Sequence, residues 1–417
     1  MEQIDKNNKT SIQRNMLYNT VGSLIYYACQ WLMSVVIVRI SGYEAAGLLS
    51  LAMSVTTAPA LVALFNVRSY QVSDIDNEYS TNAYIRSRTF SNVLAFAICL
   101  VMVFAGGYSV KKAVAIIVFM VLKVIEGYAD VYYGVEQKHG RLDYSGISMT
   151  MRGIGIIVPF VLALYLWNNV IAALGLVSFV NAVILVLWDV RIVRRWGDKA
   201  IEESKEQVRA EVKRLLITCY PLAIVAFMNA LSVNISKMAL EQYYGTEIMG
   251  YYSSVASPTL VVQLAATTVF APLMTPLTEA FQNKDKKRFG NICKRFSILA
   301  FGLTAICLVG SKLLAHWGLT LLFGNGIEPY VYLFVPAVII SVLLAVNAIF
   351  YSMCTLMREI KKQYMIGIAA IIVAFVVSLT LVKPYGMDGL IWAQYATLAT
   401  QIVIQIAIMG RKLKCYW

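Results

Sequence analysis

The chain has 417 residues, of which 59% are hydrophobic and only 14% are charged, and it carries a formal net charge of +13. Soluble domains carry about 25% charged residues, so this composition excludes a soluble globular protein and indicates a polytopic membrane protein. The positive charge does not imply nucleic-acid binding, because Lys and Arg in short cytoplasmic loops hold membrane spans in place.

Long apolar runs follow one another along the chain, and a membrane-spanning helix needs about 20 mainly apolar residues. The prediction is an all-α polytopic membrane protein with about twelve transmembrane helices in two six-helix lobes, at 1–190 and 214–417. A charged cytoplasmic linker at 191–213 joins the lobes. The predicted spans are 17–38, 44–66, 87–107, 113–134, 146–166, 170–190, 214–236, 249–274, 296–316, 331–354, 364–382 and 388–409.

Basic residues are distributed unevenly between the two sides of these spans. An even number of spans places both termini on one side, and most of the 36 basic residues fall in loops on that side. The loops assigned to this side include 67–86 and 191–214. Arg88 is counted with the first of these loops. The asymmetry predicts that both termini are cytoplasmic and that the protein lies in the cytoplasmic membrane.

Two similar stretches begin the second span of each lobe. The first reads R-I-S-G-Y-E-A-A-G and ends at Gly47, and the second reads K-M-A-L-E-Q-Y-Y-G-T-E-I-M-G and ends at Gly250. Each places a cation, Arg39 or Lys237, before an acid and a glycine. Both cations lie at outer span ends, where snorkelling to the headgroups is the alternative to a functional role. The repeat predicts two related halves, and transporters commonly place their substrate site between such halves.

Charges inside spans are the first candidates for function, because ionisable groups in lipid are rare unless they are paired or hydrated. Lys123, Glu126 and Asp130 share one face of the fourth span. They indicate a polar stripe facing water, with an internal Lys123–Glu126 pair of no function as the alternative. Arg152, in span five, has three readings: a pair with Asp130, a pair with Glu126, or a side chain that snorkels to the headgroups.

The sequence lacks the motifs that are typical of nucleotide-binding proteins, metalloproteases and other enzymes. There is no phosphate-binding G-x-x-x-x-G-K-[ST] motif and no H-E-x-x-H, and two histidines do not support a nucleophile triad or a zinc site. We therefore predict no catalytic residue, no metal site, no cofactor and no enzymatic activity.

Several stretches resemble a known family. They are the run L-E-Q-Y-Y-G-T-E-I-M-G-Y-Y-S-S-V-A-S-P that begins at Leu240, the basic K-D-K-K-R-F at Lys284–Phe289, and L-L-F-G-N-G at Leu321–Gly326. Together with twelve spans, they resemble the Wzx-type flippases of polysaccharide repeat units. Those flippases belong to the multidrug/oligosaccharidyl-lipid/polysaccharide (MOP) exporter superfamily.

This resemblance implies a MATE-like inverted V and the transfer of an undecaprenyl-pyrophosphate-linked oligosaccharide by alternating access. It implies coupling to H⁺ or Na⁺, with membrane lipids and a polysaccharide polymerase as partners and no nucleic acid. A pyrophosphate entering a low dielectric needs compensating positive charge. The candidate anion contacts are thus Lys123, Arg152, Arg39 and Lys237, and Glu126 and Asp130 are candidates for coupling or pairing.

Two alternatives stay open. A MATE-like drug/cation antiporter of the same superfamily would favour acidic over basic residues in its lumen, whereas the charge inside these spans is mixed. A membrane-embedded enzyme of glycan assembly would carry a large external loop, and no predicted loop is of that size.

Overall fold

The computed structural model describes residues 12–416, except 75, 77 and 196–203. All regular structure in this part of the chain is helical. The α-helices are α1 Ile12–Leu64, α2 Val67–Ser73, α3 Thr81–Ala105, α4 Val110–Lys138, α5 Leu142–Trp167, α6 Val170–Ile184, α7 Arg191–Arg195, α8 Lys205–Ala256, α9 Thr259–Gln282, α10 Lys286–Phe323, α11 Phe334–Leu356, α12 Ile360–Val377 and α13 Lys383–Tyr416. A 3₁₀ segment covers Asn325–Leu333, and π-helical segments cover Leu185–Val190 and Ser378–Val382.

Three of these α-helices reverse at a glycine. With 53 residues, α1 would be about 80 Å long if straight, far beyond the roughly 30 Å hydrocarbon core of a bilayer. It breaks at Gly42, where φ is 82°, a conformation that glycine adopts without steric penalty. The same break occurs in α8 at Gly245, with φ 81°, and in α13 at Gly386, with φ 57°.

The breaks account for the number of membrane crossings. Eight continuous helical stretches in the described chain are long and apolar enough to span a bilayer, and several are long enough to cross twice. Dividing α1, α8 and α13 at their glycines, and joining the short helices to their neighbours, gives about twelve crossing segments. This confirms the predicted all-α membrane fold.

The two copies of the repeated sequence cross each other closely. Within them, Gly42 and Gly245 share not only φ but also an extended ψ, −178° and 177°. Five residues after each turn comes a glycine in backbone contact with the other copy. A Cβ on Gly47 would overlap the carbonyl of Thr246, and a Cβ on Gly250 would overlap the carbonyl of Tyr43. Only glycine fits either position.

The chain folds into two compact units. The first contains the chain up to Ser41 and Leu51–Phe227, and the second contains Gly42–Ser50 and Met228–Trp417. These limits differ from the predicted lobes at 1–190 and 214–417, which followed chain order alone. Residues 42–50 join the second unit through the glycine crossing.

The start of α8 belongs to the first unit, where Glu211 accepts a 2.9 Å hydrogen bond from the Ser80 hydroxyl. The predicted linker at 191–213 therefore contains α7 and the first residues of α8, while its central residues 196–203 lie outside the described residues.

Candidate functional site

The first unit contains an ion pair on α4. The Lys123 ammonium lies 2.7 Å from a Glu126 oxygen, and both side chains are about one-fifth exposed. The other Glu126 oxygen accepts a 2.7 Å hydrogen bond from the Tyr26 hydroxyl, and Gln30 donates to that hydroxyl at 3.0 Å. The predicted contact between Lys123 and Glu126 is present, and both side chains remain accessible. The Lys123 ammonium is thus paired within its own helix and still reaches the surface of the unit.

Asp130, one turn further along α4, is held by two arginines. One carboxylate oxygen accepts from Arg88 at 2.7 Å and the other accepts from Arg68 at 3.4 Å. Arg88 is 0% exposed, and its guanidinium also donates to the backbone carbonyls of Ala63 and Leu64. Those carbonyls end α1, so Arg88 satisfies backbone acceptors that the broken helix leaves unpaired.

The structure contradicts all three predicted arrangements of Arg152. Its guanidinium donates to Asp189 at 2.7 Å, and not to Asp130 or Glu126. The side chain is 2% exposed, so it does not snorkel to the headgroups. Asp189 is fully buried within the π-helical segment Leu185–Val190. Helical periodicity did not reveal this partner, because it lies on a different helical segment from Arg152.

Lys237 stands apart from these pairs. It lies half-buried on α8, eight residues before Gly245, and therefore about 12 Å along the helix from that turn. In the part of the chain that the structure describes, its ammonium has no carboxylate partner or hydrogen bond. Arg39, the remaining candidate, is exposed and lies three residues before the Gly42 turn.

The second unit contains a polar cluster of amides and hydroxyls around Gln401. Gln401 is 0% exposed; it accepts from Asn347 at 2.9 Å and donates to Ser232 at 3.0 Å and to Asn229 at 3.2 Å. Gln394, two turns earlier on α13, accepts from the Tyr252 hydroxyl at 3.1 Å. Neutral hydrogen bonds thus join α8, α11 and α13.

Comparison with known proteins begins with a family model. The model described as "Polysaccharide biosynthesis protein" matches residues 12–277, which is more than half of the chain. The chain belongs to that polysaccharide biosynthesis family.

A curated relative and several solved structures agree with this assignment. The capsular polysaccharide biosynthesis protein CapF of Staphylococcus aureus is 24% identical over 315 residues, covering 75% of this chain and 77% of CapF. An inward-facing MATE-family multidrug transporter of the MOP superfamily is 14% identical, covers 96% of this chain and 98% of its own, and has a TM-score of 0.67.

A second solved structure is a MOP transporter from Pyrococcus furiosus, described as having a binding pocket of reversed polarity. It is 13% identical over 97% of both chains, with a TM-score of 0.56. At such identities the structures show the fold. The chain is a multi-pass membrane protein with the fold of MOP-superfamily transporters, and it belongs to a polysaccharide biosynthesis family, in agreement with the resemblance seen in the sequence.

Two important residues of this family member escaped the sequence analysis. Arg88 was counted with the loop charges although the third predicted span begins at residue 87, and the helix α3 itself begins at Thr81, behind an N-cap at Ser80. Asp189 lay one residue inside the end of the predicted span 170–190. Both positions were charges within predicted spans, which is the signal that would have found them.

No group of three or more His, Cys, Asp or Glu side chains that could hold a metal occurs among the residues described. His139 contacts the backbone carbonyl of Val135, and His316 contacts Glu328 on an exposed surface.

Proposed function

We propose that this protein is a secondary transporter that flips an undecaprenyl-pyrophosphate-linked oligosaccharide across the cytoplasmic membrane by alternating access. Two facts support it together: the family is one of polysaccharide biosynthesis, and the fold is that of a transporter. A transporter serves such a pathway by moving a membrane-bound intermediate. The protein acts with membrane lipids and a polysaccharide polymerase, without catalytic activity of its own and with both termini cytoplasmic.

Lys237 is the structural observation that carries the proposal. A charged side chain within a membrane helix costs at least about 3 kcal/mol unless it is paired or hydrated, so a lysine without a described partner favours an anion as ligand. The pyrophosphate of a lipid-linked oligosaccharide supplies such an anion. A transporter for cationic drugs would instead need an acidic residue at such a position.

Coupling is assigned to the Lys123–Glu126 pair. The Glu126 carboxylate accepts hydrogen bonds from the Tyr26 hydroxyl and the Lys123 ammonium and is partly exposed. In this proposal it is the coupling group, and Lys123 turns to a substrate phosphate. Arg39 extends the proposed anion contacts at the end of the first crossing. Arg152 and Asp130 take structural roles in this proposal, because each is held by a salt bridge with a buried partner.

The test is flipping of a fluorescent polyprenyl-pyrophosphate oligosaccharide in proteoliposomes. Lys237→Ala is expected to slow flipping at least about tenfold, because a charge-assisted contact to an anion contributes about 1.5–3 kcal/mol. Lys237→Arg keeps the charge and is expected to retain part of the rate. Lys312→Ala removes an exposed lysine of α10 as the matched control. Unchanged flipping by Lys237→Ala, or wild-type transport of cationic drugs alone, contradicts the proposal.

A further inference from the structure

The break between α1 and α2 opens a cavity within the first unit. Phe65 and Asn66 both have positive φ, 46° and 54°, so the chain leaves α1 and starts α2 in a new direction. The cavity has a volume of about 340 Å³, and its polar walls come from Asn66, Arg68, Ser69, Asp130 and Gln137. Asp130 is the one residue of this group that the sequence analysis selected, and it was assigned there to coupling or pairing.

Two arginines and one aspartate form an ion-pair cluster at this cavity. Arg88 is buried and bonded at short range to Asp130, so it neutralises that carboxylate. Arg68 lies further from Asp130, at 3.4 Å, and its other terminal nitrogen donates to Gln137 at 3.2 Å. Its side chain is about one-quarter exposed. Two guanidinium groups therefore share one carboxylate, and Arg68, the accessible one, makes the longer contact with it.

We propose that this cavity is a binding site for the phosphate or pyrophosphate headgroup of a lipid, with Arg68 as its charged ligand. Guanidinium groups bind phosphate oxygens through paired N–H donors, and the amides of Asn66 and Gln137 lie on the same walls. Ligand pockets are commonly about 300–1,000 Å³, so this one is at the small end of the range. That size suits a headgroup and not an oligosaccharide.

Two lipids offer this chemistry. One is the pyrophosphate-linked substrate, in which case the site rests on the proposed function and holds the substrate's headgroup apart from Lys237. The other is an ordinary anionic phospholipid of the surrounding membrane, which would bind whatever the protein transports.

The first experiment measures the binding of inorganic pyrophosphate to the purified full-length protein by calorimetry. Arg68→Gln is expected to raise the dissociation constant at least about tenfold, because it removes a charge-assisted contact. Arg86→Gln is the matched control, since it removes the same charge from an exposed position of α3. Equal binding by wild type and Arg68→Gln, or no binding by wild type, overturns the proposal.

A second measurement keeps Arg68 in place and so does not depend on the folding of that variant. Ser69 is exposed and lines the cavity. In Ser69→Cys, saturating pyrophosphate is expected to slow reaction with a water-soluble thiol reagent about tenfold, relative to the parent protein's own cysteines. An unchanged labelling rate overturns the site.

Proteoliposomes then identify the lipid. Protection of Ser69→Cys by polyprenyl pyrophosphate, but not by phosphatidylglycerol of equal charge, assigns the site to the substrate; protection by both assigns it to anionic headgroups in general. Protection by neither overturns the site. The Lys237→Ala flipping assay is independent of this result. Absence of flipping by the wild-type protein in that assay, with intact protection of Ser69→Cys, refutes the proposed function and leaves the cavity site standing.

Discussion

The polar clusters around Arg88 and Arg152 in the first unit and around Gln401 in the second unit are built from different chemistry. In the first unit, charged side chains such as Arg88 and Arg152 are buried to 2% exposure or less and held by carboxylates. In the second unit, the buried polar groups around Gln401 are glutamine, asparagine and hydroxyl side chains. Ion pairs described in the second unit, such as Arg288–Glu279, join exposed side chains near helix ends.

The two kinds of polar contact differ in how firmly they hold neighbouring helices together. A buried ion pair fixes its neighbours firmly, because removing either partner leaves an uncompensated charge in a low dielectric. Interhelical amide contacts in membranes contribute only about 0.6 kcal/mol each on average, so helices joined by them can shift at little cost. We infer that the first unit provides rigid ionic sites and that the second provides an interior of exchangeable contacts.

The largest expected effect tests the buried ion pair. Arg152→Leu should lower the free energy of unfolding by about 3–5 kcal/mol, because Asp189 is left charged and buried. Gln401→Leu, the counterpart in the second unit, should lower it by about 1 kcal/mol. Denaturant unfolding of both purified variants in detergent gives the two values.

The double variant Arg152→Leu/Asp189→Leu sharpens this result, because it removes both charges together. It should recover most of the stability lost in Arg152→Leu. If Gln401→Leu proves as destabilising as Arg152→Leu, the contrast between the units is wrong.

The next effect concerns the accessible pair of the first unit. Lys123→Ala should lower surface polysaccharide display by at least about tenfold, at an unchanged protein level in the membrane, because the variant loses an anion contact that a substrate can reach. Lys111→Ala, at an exposed position of the same helix, serves as control. The two quantities are measured by glycan staining and by immunoblotting of membranes.

Accessibility separates this role from a purely structural one. A cysteine introduced by Lys123→Cys should react with a water-soluble thiol reagent. Normal display together with complete inaccessibility would show that the Lys123–Glu126 pair only stabilises α4.

The smallest expected effect concerns an ion pair at the edge of the second unit. Hydrogen bonds from Lys412 and Lys362 lower the pKa of the Glu359 carboxyl below its ordinary value. Its stabilising contribution is therefore complete above about pH 4.5 and disappears as the pH falls through the lowered pKa. Both lysines are more than one-third exposed, so the contribution should stay below about 1 kcal/mol.

The measurement is the difference in melting temperature between wild type and Glu359→Gln at neutral pH and at pH values below 4. The difference should shrink on acidification. A difference that grows on acidification, or one as large as that of Arg152→Leu, would place significant ionic stabilisation in the second unit as well.

The membrane fold could be predicted from the sequence because the length of an apolar run is a local property that bilayer thickness selects. The pairing of charges could not, because it depends on which helices are neighbours. Arg152 and Asp189 are 37 residues apart and lie on different helical segments. Lys123 and Glu126 were predictable as a pair because they lie on adjacent turns of one helix.

The break after Leu64 shows a second limit. Arg88 appeared to be a loop cation because basic residues gather at span ends, whereas its position is dictated by two carbonyls that α1 leaves unpaired. No pattern within one sequence identifies acceptors that another helix must satisfy. The cavity beside Arg68 depends on this break and was therefore not predictable either.

The crossing of the two glycine turns has a consequence for the origin of the molecule. Gly47 meets the residue after Gly245, and Gly250 meets the residue after Gly42. A reciprocal contact of this kind is what two identical subunits form across a two-fold axis, where one surface patch is complementary to itself. A chain carrying a single copy of the turn would already possess that patch. Two such chains could form this contact as a symmetric dimer, and joining their genes would preserve it inside one polypeptide.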